Sequence, residues 1–484
     1  MEKIRRGLVR LGLVSSIGKV SERKDIPVDD RMYELIETWK CAYKGYVSEW
    51  HDVKYMTVNG IIERKRNTLG MPKVISQEMA NLVFNEGVSL EIENEELLEN
   101  VMSVLNKNAF YETFQNKLEY MFALGGVALE VFHNENGIQI GHATADSFIP
   151  LKDDGKRVTE GIFLKQTKKD KYFYTLLRWH TFEGLQYVIK NELYRSEIES
   201  ELGKPFPLAD VYPELEEEIR LNNVSVPLFV YIRPSTANNA DMNSRLGVSL
   251  YANATDTLKA LDVAYDSLDR EIRLGKKKII VPTTALKGTV NIETGRIERH
   301  FDVNDEVYQA INMGDDNEIK DIDIRLRILE HVDAINAHLN VLAMQTGFSP
   351  GTFSFNATEG LKTATEVVSQ NSKTYRTRNG HVNMIREGLI DLVQAIIQVA
   401  ELYDVFTVSG EYTISLNFDD SIAEDRNTNA AYWMNLVNSG LIPRYLALEK
   451  ILKITEEQAK LIVADMKVET QSMQPADVDM FGIK

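Results

Sequence analysis

LGVSLYANATDTLKALDVAYDSLDREI, residues 246–272, is the stretch that decides the fold. Leu250, Ala254, Leu258, Leu261, Tyr265, Leu268 and Ile272 recur in alternating steps of four and three, on one narrow stripe of a helix from about Val248 to Leu274. A stripe that narrow suits lengthwise packing against other helices. The device returns at about Leu326 to Thr346, where Ile328, Val332, Ile335, Leu339 and Leu342 make a second stripe on a helix roughly 30 Å long at ~1.5 Å per residue. Between the two, Gly275 ends the first helix, IIVP (279–282) reads as a short strand, and Gly288 and Gly295 mark turns. The pattern predicts a helical pair with a small mixed unit inserted at its far end.

Downstream, the linker GFSPGTFSFNATEGL (347–361) leads into a third helical pattern from about Thr363 to Tyr403, opened by a capping-box signal at Thr363 and Glu366. Its first half is polar, its second half carries Val382, Ile385, Leu389, Leu392, Ile396 and Val399 on one face, and Asn379-Gly380 is the expected kink between them. A strand-like EYTISLNFDD (411–420), helices across AAYWMNLVNSG and ALEKILKITEEQAKLIVADM, and a polar end from about Glu469 follow. Upstream, residues 27–125 read as mainly helical, with helical spacing in ISQEMANLVFNEG (75–87) and in LLENVMSVLNKNAFYETFQNKLEYMFALGG (97–126), which stops at Gly125 and Gly126. From Val127 to about Arg195 the period becomes two. Asn136-Gly137, Asp154-Gly155 and Glu183-Gly184 punctuate this stretch as hairpin turns, so it reads as an antiparallel meander. Residues 196–226, with Pro205, Pro207, Pro213 and Glu216 to Glu218, read as an exposed excursion, from which PLFVYIRP (227–234) returns as a strand. The fold class is α+β, mainly α, without an internal repeat.

The chain has 484 residues, 44% of them hydrophobic, enough for two to four folding units with a sizeable core. Acidic residues outnumber basic ones 72 to 55, for a formal charge of -17. A protein that grips DNA by neutralising phosphates would be basic, so tight DNA binding is disfavoured. The single cysteine, Cys41, excludes an intrachain disulfide and reads as a buried small hydrophobe. Arg, Asp or Glu interrupts each apolar run before it reaches the ~18 to 20 residues that span a bilayer, so a membrane partner is not expected. The opening MEKIRRGLVRLGLVSSIGKV is split by Arg10 and lacks a small-x-small cleavage site, which argues against a signal peptide.

Enzymatic motifs are missing. GLVSSIGKV (12–20) approaches a phosphate-binding loop, but five residues separate Gly12 from Gly18, and Val20 stands where a Mg²⁺-binding hydroxyl is needed. His331 and His338 lie about two helical turns apart, too far to share a metal. Asp419, Asp420, Glu424 and Asp425 could bind a divalent cation, though acids complementing a helix N-terminus explain them better. Asp262, Asp266 and Asp269 form an acidic stripe on the first long helix, read as a solvated face. No cofactor and no metal site is expected, and the protein is read as not an enzyme.

The order of elements, and several strings within it, resemble phage portal proteins of the A118 or SPP1-like group of Gram-positive phages. The strings are ISQEMANLVFNEG, LGVSLYANATDTLKALDVAYDSLDREI with KKKIIVP beyond it, GFSPGTFSF, GLKTATEVVSQNSKTYRTRN and NLVNSGLIPRYLALEKI, and together they span nearly the whole chain. The resemblance implies a virion protein that forms a ring of about twelve subunits. It also implies a division into an N-terminal arm (1–26), wing (27–245), stem helices (246–275 and 326–347), clip (276–325), tunnel loop (348–361), long helix (362–404), returning wing strand (405–425), crown helices (426–468) and flexible tail (469–484). Implied partners are other copies of the chain, double-stranded DNA passing without sequence preference, terminase, a head-tail adaptor, and capsid and scaffolding proteins, with the host cytoplasm as the location before assembly.

On this resemblance the channel residues are Ser349, Thr352, Phe353, Ser354, Phe355 and Asn356, in a segment without Lys or Arg from Ser349 to Glu359. The alternative for Phe353 and Phe355 is ordinary packing within a surface loop. Lys276, Lys277 and Lys278 either ring the DNA at the stem-clip junction or complement the C-terminal dipole of the first stem helix. Lys373, Arg376 and Arg378 are candidates for salt bridges between subunits or for DNA contact, with bridges favoured because acidic partners abound. About twelve copies carry a charge of roughly -200, and a like-charged wall avoids trapping phosphates and lets DNA slide. The competing readings are a structural capsid or adaptor component that does not conduct DNA, and a packaging ATPase or nuclease. The helical pair with its inserted tip speaks against the first, and the missing phosphate loop and metal ligands against the second.

Overall fold

The computed structural model describes Val20 and residues 23–57, 60–84, 88–275, 278–280, 287–290, 297–300, 320–322, 325–355, 372–408, 410, 412–418, 426–452 and 454–472. It is 46% helical and 24% strand, a mixed α/β architecture in which helix predominates.

The first helix, α1 (Asp30–Tyr43), is capped by Asp29, whose carboxylate accepts from the Met32 N–H at 3.2 Å. One turn, α2 (Ser48–His51), leads into a hairpin of β1 (Asp52–Thr57) and β2 (Gly60–Lys65), then α3 (Met71–Phe84), β3 (Val88–Ile92), α4 (Glu95–Lys107) and α5 (Phe110–Leu124). The region is mainly helical, as expected; the hairpin and β3 are additions to that reading, and Asn59-Gly60 is itself a hairpin signal between the helical stretches. The long helical stretch is also two helices, not one. Ala109 takes φ +44° at the break. There Asn108 stitches the end of α4 to a strand, donating to Val104 O (2.8 Å) and Ile138 O (3.0 Å) and accepting from Ile140 N (2.9 Å).

Gly125 ends α5 as expected. Its φ of +89° favours glycine, and a Cβ there would lie 2.6 Å from the Gly247 carbonyl, so two chain segments touch backbone to backbone. The meander follows as β4 (Val127–Asn134), β5 (Gly137–Thr144), β6 (Phe148–Asp153), β7 (Val158–Lys169), β8 (Tyr172–Glu183) and β9 (Gln186–Ser196). It forms two sheets rather than one. The returning strand β12 (Phe229–Ile232) joins β4 and β5 in the order β12-β4-β5, while β6 to β9 build a second sheet. The excursion is largely exposed but not detached. It adds β10 (Lys204–Pro205) and β11 (Glu218–Leu221) to β9, and it buries Leu208 against Tyr174, Leu176 and Leu193.

A buried polar chain ties the two sheets together. The Leu228 N–H donates to Tyr187 Oη (3.1 Å), Tyr187 Oη lies 2.9 Å from His180 Nδ1, and His180 Nε2 lies 3.1 Å from Glu130 Oε1. Tyr187 accepts from the backbone and so donates to Nδ1, which leaves the proton on Nε2 pointing at the carboxylate. Arg178 donates to the same oxygen at 2.7 Å. Burial pushes the Glu130 carboxyl up, but the charge of Arg178 and the His180 hydrogen bond outweigh it and hold the group at about 2.

The helical pair is α6 (Thr255–Leu274) and α7 (Ile328–Gln345), with four short strands described between them: β13 (Lys278–Ile280) paired with β16 (Lys320–Ile322), and β14 (Lys287–Val290) paired with β15 (Ile297–His300). Leu258, Leu261, Leu268, Ile335, Leu339 and Leu342 are buried along the seam, while Ile272 at the distal end stays 47% exposed. At that end Arg327 holds Glu271 through Nε (3.1 Å) and Nη2 (3.0 Å). The third long helix, α8 (Ser372–Leu402), is one continuous helix through Asn379-Gly380. Its last turns, with Leu392, Val393, Ala395, Ile396, Ile397, Val399 and Ala400 buried, are covered all round, so this helix is central. The strand β17 (Ile414–Phe418) pairs with β3, and α9 (Arg426–Asn438), α10 (Arg444–Leu452) and α11 (Glu456–Ser472) close the described chain. The capping box at Thr363 and Glu366 and the carboxylates at 419, 420, 424 and 425 lie outside the described residues. Among the described residues no helix is long and apolar enough to cross a membrane, and no group of three or more His, Cys, Asp or Glu side chains is placed to hold a metal.

Candidate functional site

The end of α7 sets the geometry of the segment beyond it. Thr346 Oγ1 donates to Leu342 O at 2.8 Å, Gly347 turns the chain with φ +85°, and the Phe348 N–H reaches back to Ala343 O at 2.8 Å. Phe348 is thereby buried completely, and Phe353 packs on it with ring centroids 5.0 Å apart. Ser349 is buried as well: its N–H donates to Thr374 Oγ1 of α8 at 2.8 Å, and the two hydroxyls lie 3.2 Å apart.

The remainder of the loop lies along α7. Asn340 Oδ1 accepts from the Gly351 N–H and Asn336 Oδ1 from the Phe355 N–H, both at 2.8 Å. Asn336 and Asn340 are one helical turn apart, so one face of α7 offers two acceptors to the loop backbone. Thr352, Ser354 and Phe355 are exposed, Phe355 by 42%, while Phe353 is half-buried. The structure thus separates the candidates. Thr352, Ser354 and Phe355 are presented outward, Phe353 is shared with the core, and Asn356 lies outside the described residues. Ser349 needs correction: a residue with 0% exposure is an anchor and cannot line a channel.

The cationic candidates also separate. Lys373 Nζ donates to Met344 O at 2.6 Å and so complements the carbonyl end of α7. Arg376 is exposed, with a long 3.4 Å contact from Nε to Ser372 O of its own helix. Arg378 is 2% exposed and donates from Nε to Leu82 O at 2.7 Å, which ties α8 to α3. It is therefore an internal brace, correcting its place among inter-subunit contacts. Lys276 and Lys277 lie outside the described residues, and Lys278 opens β13 opposite Ile322.

The acidic stripe on α6 is the largest departure from expectation. Asp262 and Asp266 are 7% and 4% exposed rather than solvated. Asp262 accepts from the Leu69 N–H (2.8 Å) and Thr68 Oγ1 (3.1 Å) and faces His51 Nε2 at 3.2 Å. Asp266 takes both Arg64 Nη atoms, at 2.7 and 2.6 Å, and the Asn67 N–H at 3.2 Å. The Arg64 hydrogen bond holds the Asp266 carboxyl below its ordinary range. Asp269 is half-buried, with Asn67 at 3.4 Å and Arg273 at 3.0 Å. Nothing in the local pattern of α6 reveals the partners of Asp262 and Asp266, which come from the end of α2 (His51), the β1–β2 hairpin (Arg64) and the turn after it (Asn67, Thr68 and Leu69).

A search of curated proteins finds no match to the chain. Among solved structures, it is similar to a chain of the neck of an empty GTA particle computed with C6 symmetry, at 13% identity and TM-score 0.45, covering 80% of this chain and 90% of that one. It is also similar to a chain of the virion of a native gene transfer agent (GTA) particle, at 12% identity and TM-score 0.43, covering 78% and 88%. A family model, phage portal protein, SPP1 Gp6-like, matches residues 23–473. With its match running from ahead of α1 to past α11, the chain belongs to the SPP1 Gp6-like family of phage portal proteins.

Proposed function

We propose that about twelve copies of this chain close into a ring at one vertex of a phage capsid, around a channel through which double-stranded DNA is packaged, retained and ejected. The observation that carries this reading is the family match over residues 23–473. The α6–α7 pair supports it as a stem, the strands between 278 and 322 as a clip, and α9 to α11 as a crown. The segment from Thr352 to Phe355 is proposed as the part of the tunnel loop nearest the DNA: it is pinned at its root by Ser349 and Thr374, and its outer side chains carry no charge. Terminase and then a head-tail adaptor dock on the clip side, capsid and scaffolding proteins contact the wing, and assembly starts in the host cytoplasm. The chain acts by shape and charge, not as an enzyme. The strings shared with the A118-like portals of Gram-positive phages favour that subgroup.

The test is negative-stain electron microscopy with native mass spectrometry across a concentration range. Rings of about twelve subunits with a central hole are the expected result. Particles that remain monomeric or dimeric at every concentration, alone and with scaffolding protein, would overturn the reading. Deleting residues 352–356 should leave rings intact and impair packaging or retention of DNA; normal packaging by that variant would remove the loop from the channel.

A further inference from the structure

Among the described residues the β1–β2 hairpin has no further strand beside it, and an isolated two-stranded ribbon is marginally stable in water. Its register pairs Tyr55 with Ile62 and Val53 with Arg64 on one face, and Met56 with Ile61 and Lys54 with Glu63 on the other. The first face rests on α6: Arg64 enters the Asp266 carboxylate, and the Arg270 guanidinium lies 5.4 Å from the Tyr55 ring. The second face points away, and Met56 and Ile61 are 78% and 65% exposed at the tip. Two large apolar side chains in cross-strand register, left open to water, form a knob.

The same chain carries a matching apolar face. Besides the stripe that packs on α6, helix α7 has a second series at helical spacing, Ala334, Ala337, Val341 and Met344, on the opposite side. All four are exposed, Val341 by 39% and Met344 by 47%. The two alanines leave room for a side chain to approach the helix backbone. Charge agrees with shape. Besides Arg64, which Asp266 engages, residues 52–66 hold Lys54, Lys65 and Arg66 against Asp52 and Glu63, whereas α7 holds exposed Glu330 and Asp333 and no Lys or Arg of its own.

We infer that the Met56/Ile61 tip of one copy seats on the Ala334–Met344 face of α7 in the next copy. Knob and seat lie on different faces of the α6–α7 pair, so each copy offers one of each and the contact is head-to-tail, the kind that closes rings. The inference rests on the proposed ring and names the surface that joins its subunits.

Cysteine cross-linking tests it, since the native Cys41 is buried. Under mild oxidation the double variant Ile61→Cys/Val341→Cys should give a ladder of covalent oligomers on a denaturing gel, collapsed by reductant. The control pair Leu185→Cys/Val341→Cys, with Leu185 94% exposed at the β8–β9 turn, should not. Met56→Asp/Ile61→Asp should raise the concentration needed for half-assembly at least tenfold while leaving the monomer's unfolding midpoint unchanged. Rings that form normally in both variants, without the ladder, would overturn this contact and leave the ring standing. A wild-type chain that never assembles would overturn both.

Discussion

Glu130 is the charge on which the junction of the β12-β4-β5 sheet with the β6–β9 sheet depends. It is 7% exposed, and Arg178 and His180 both donate to its Oε1. Glu130→Ala removes the shared acceptor and strands a guanidinium and an imidazole N–H in a site that water barely reaches. Breaking a buried pair from one side costs about 3–5 kcal/mol. Glu130→Gln keeps the shape and one acceptor and should cost about 1.5–3 kcal/mol, the worth of a charge-assisted hydrogen bond. The pH dependence separates charge from shape. The folded carboxyl titrates near 2 against an ordinary 4.5, so its ionised form is favoured in the fold. That contribution is fully present above pH 4.5 and lost as pH falls towards 2, at roughly 1.4 kcal/mol per pH step, or about 3 kcal/mol in all. Urea unfolding followed by tryptophan emission, with Trp179 between Arg178 and His180 in sequence, measures it. The gap between wild type and Glu130→Gln should shrink steadily towards zero as pH falls from 4.5 towards 2. A gap independent of pH, or a loss below 1 kcal/mol for Glu130→Ala, would refute the network as an ionic junction.

Other consequences follow from single contacts. Burial lowers His381 to about 4 from 6.5, so the unfolded chain takes up its proton first; stability should decline as pH falls from 6.5 to 4, and His381→Leu should flatten that part of the profile. Asp266→Asn weakens the seat of Arg64 and should cost about 1–3 kcal/mol, with faster proteolysis within residues 52–66 as the local readout. Gly125→Ala meets the Gly247 carbonyl at 2.6 Å and a φ of +89°, and should lower the thermal midpoint by several degrees, about 2 kcal/mol or more. Arg378→Ala should destabilise the isolated monomer, whereas Arg376→Ala should not.

Much of the architecture was legible because periodicity reports burial directly. The stripes on α6 and α7, the turns at Asn136-Gly137, Asp154-Gly155 and Glu183-Gly184, and the stop at Gly125 all depend on neighbours within about four residues. The β1–β2 hairpin was harder to read. Its strands are largely exposed, so the alternation that marks a half-buried strand is weak there, and helical stretches flank it. The division of the meander into two sheets was not legible either, because alternation tells which face is buried but not which strand lies beside which.

The same limit governs charged and polar groups. From the sequence alone came the helical pair, the small unit between its far ends, the uncharged loop after the second helix, and an acidic chain without catalytic motifs. Only the tertiary structure decided that Asp262 and Asp266 are buried beside His51 and Arg64, that Ser349 is an anchor, and that Arg378 braces α8 against α3. A carboxylate or a guanidinium has no period of its own. Whether it faces water or a partner depends on what the chain brings beside it from some two hundred or more residues away, and that proximity exists only once the fold has closed.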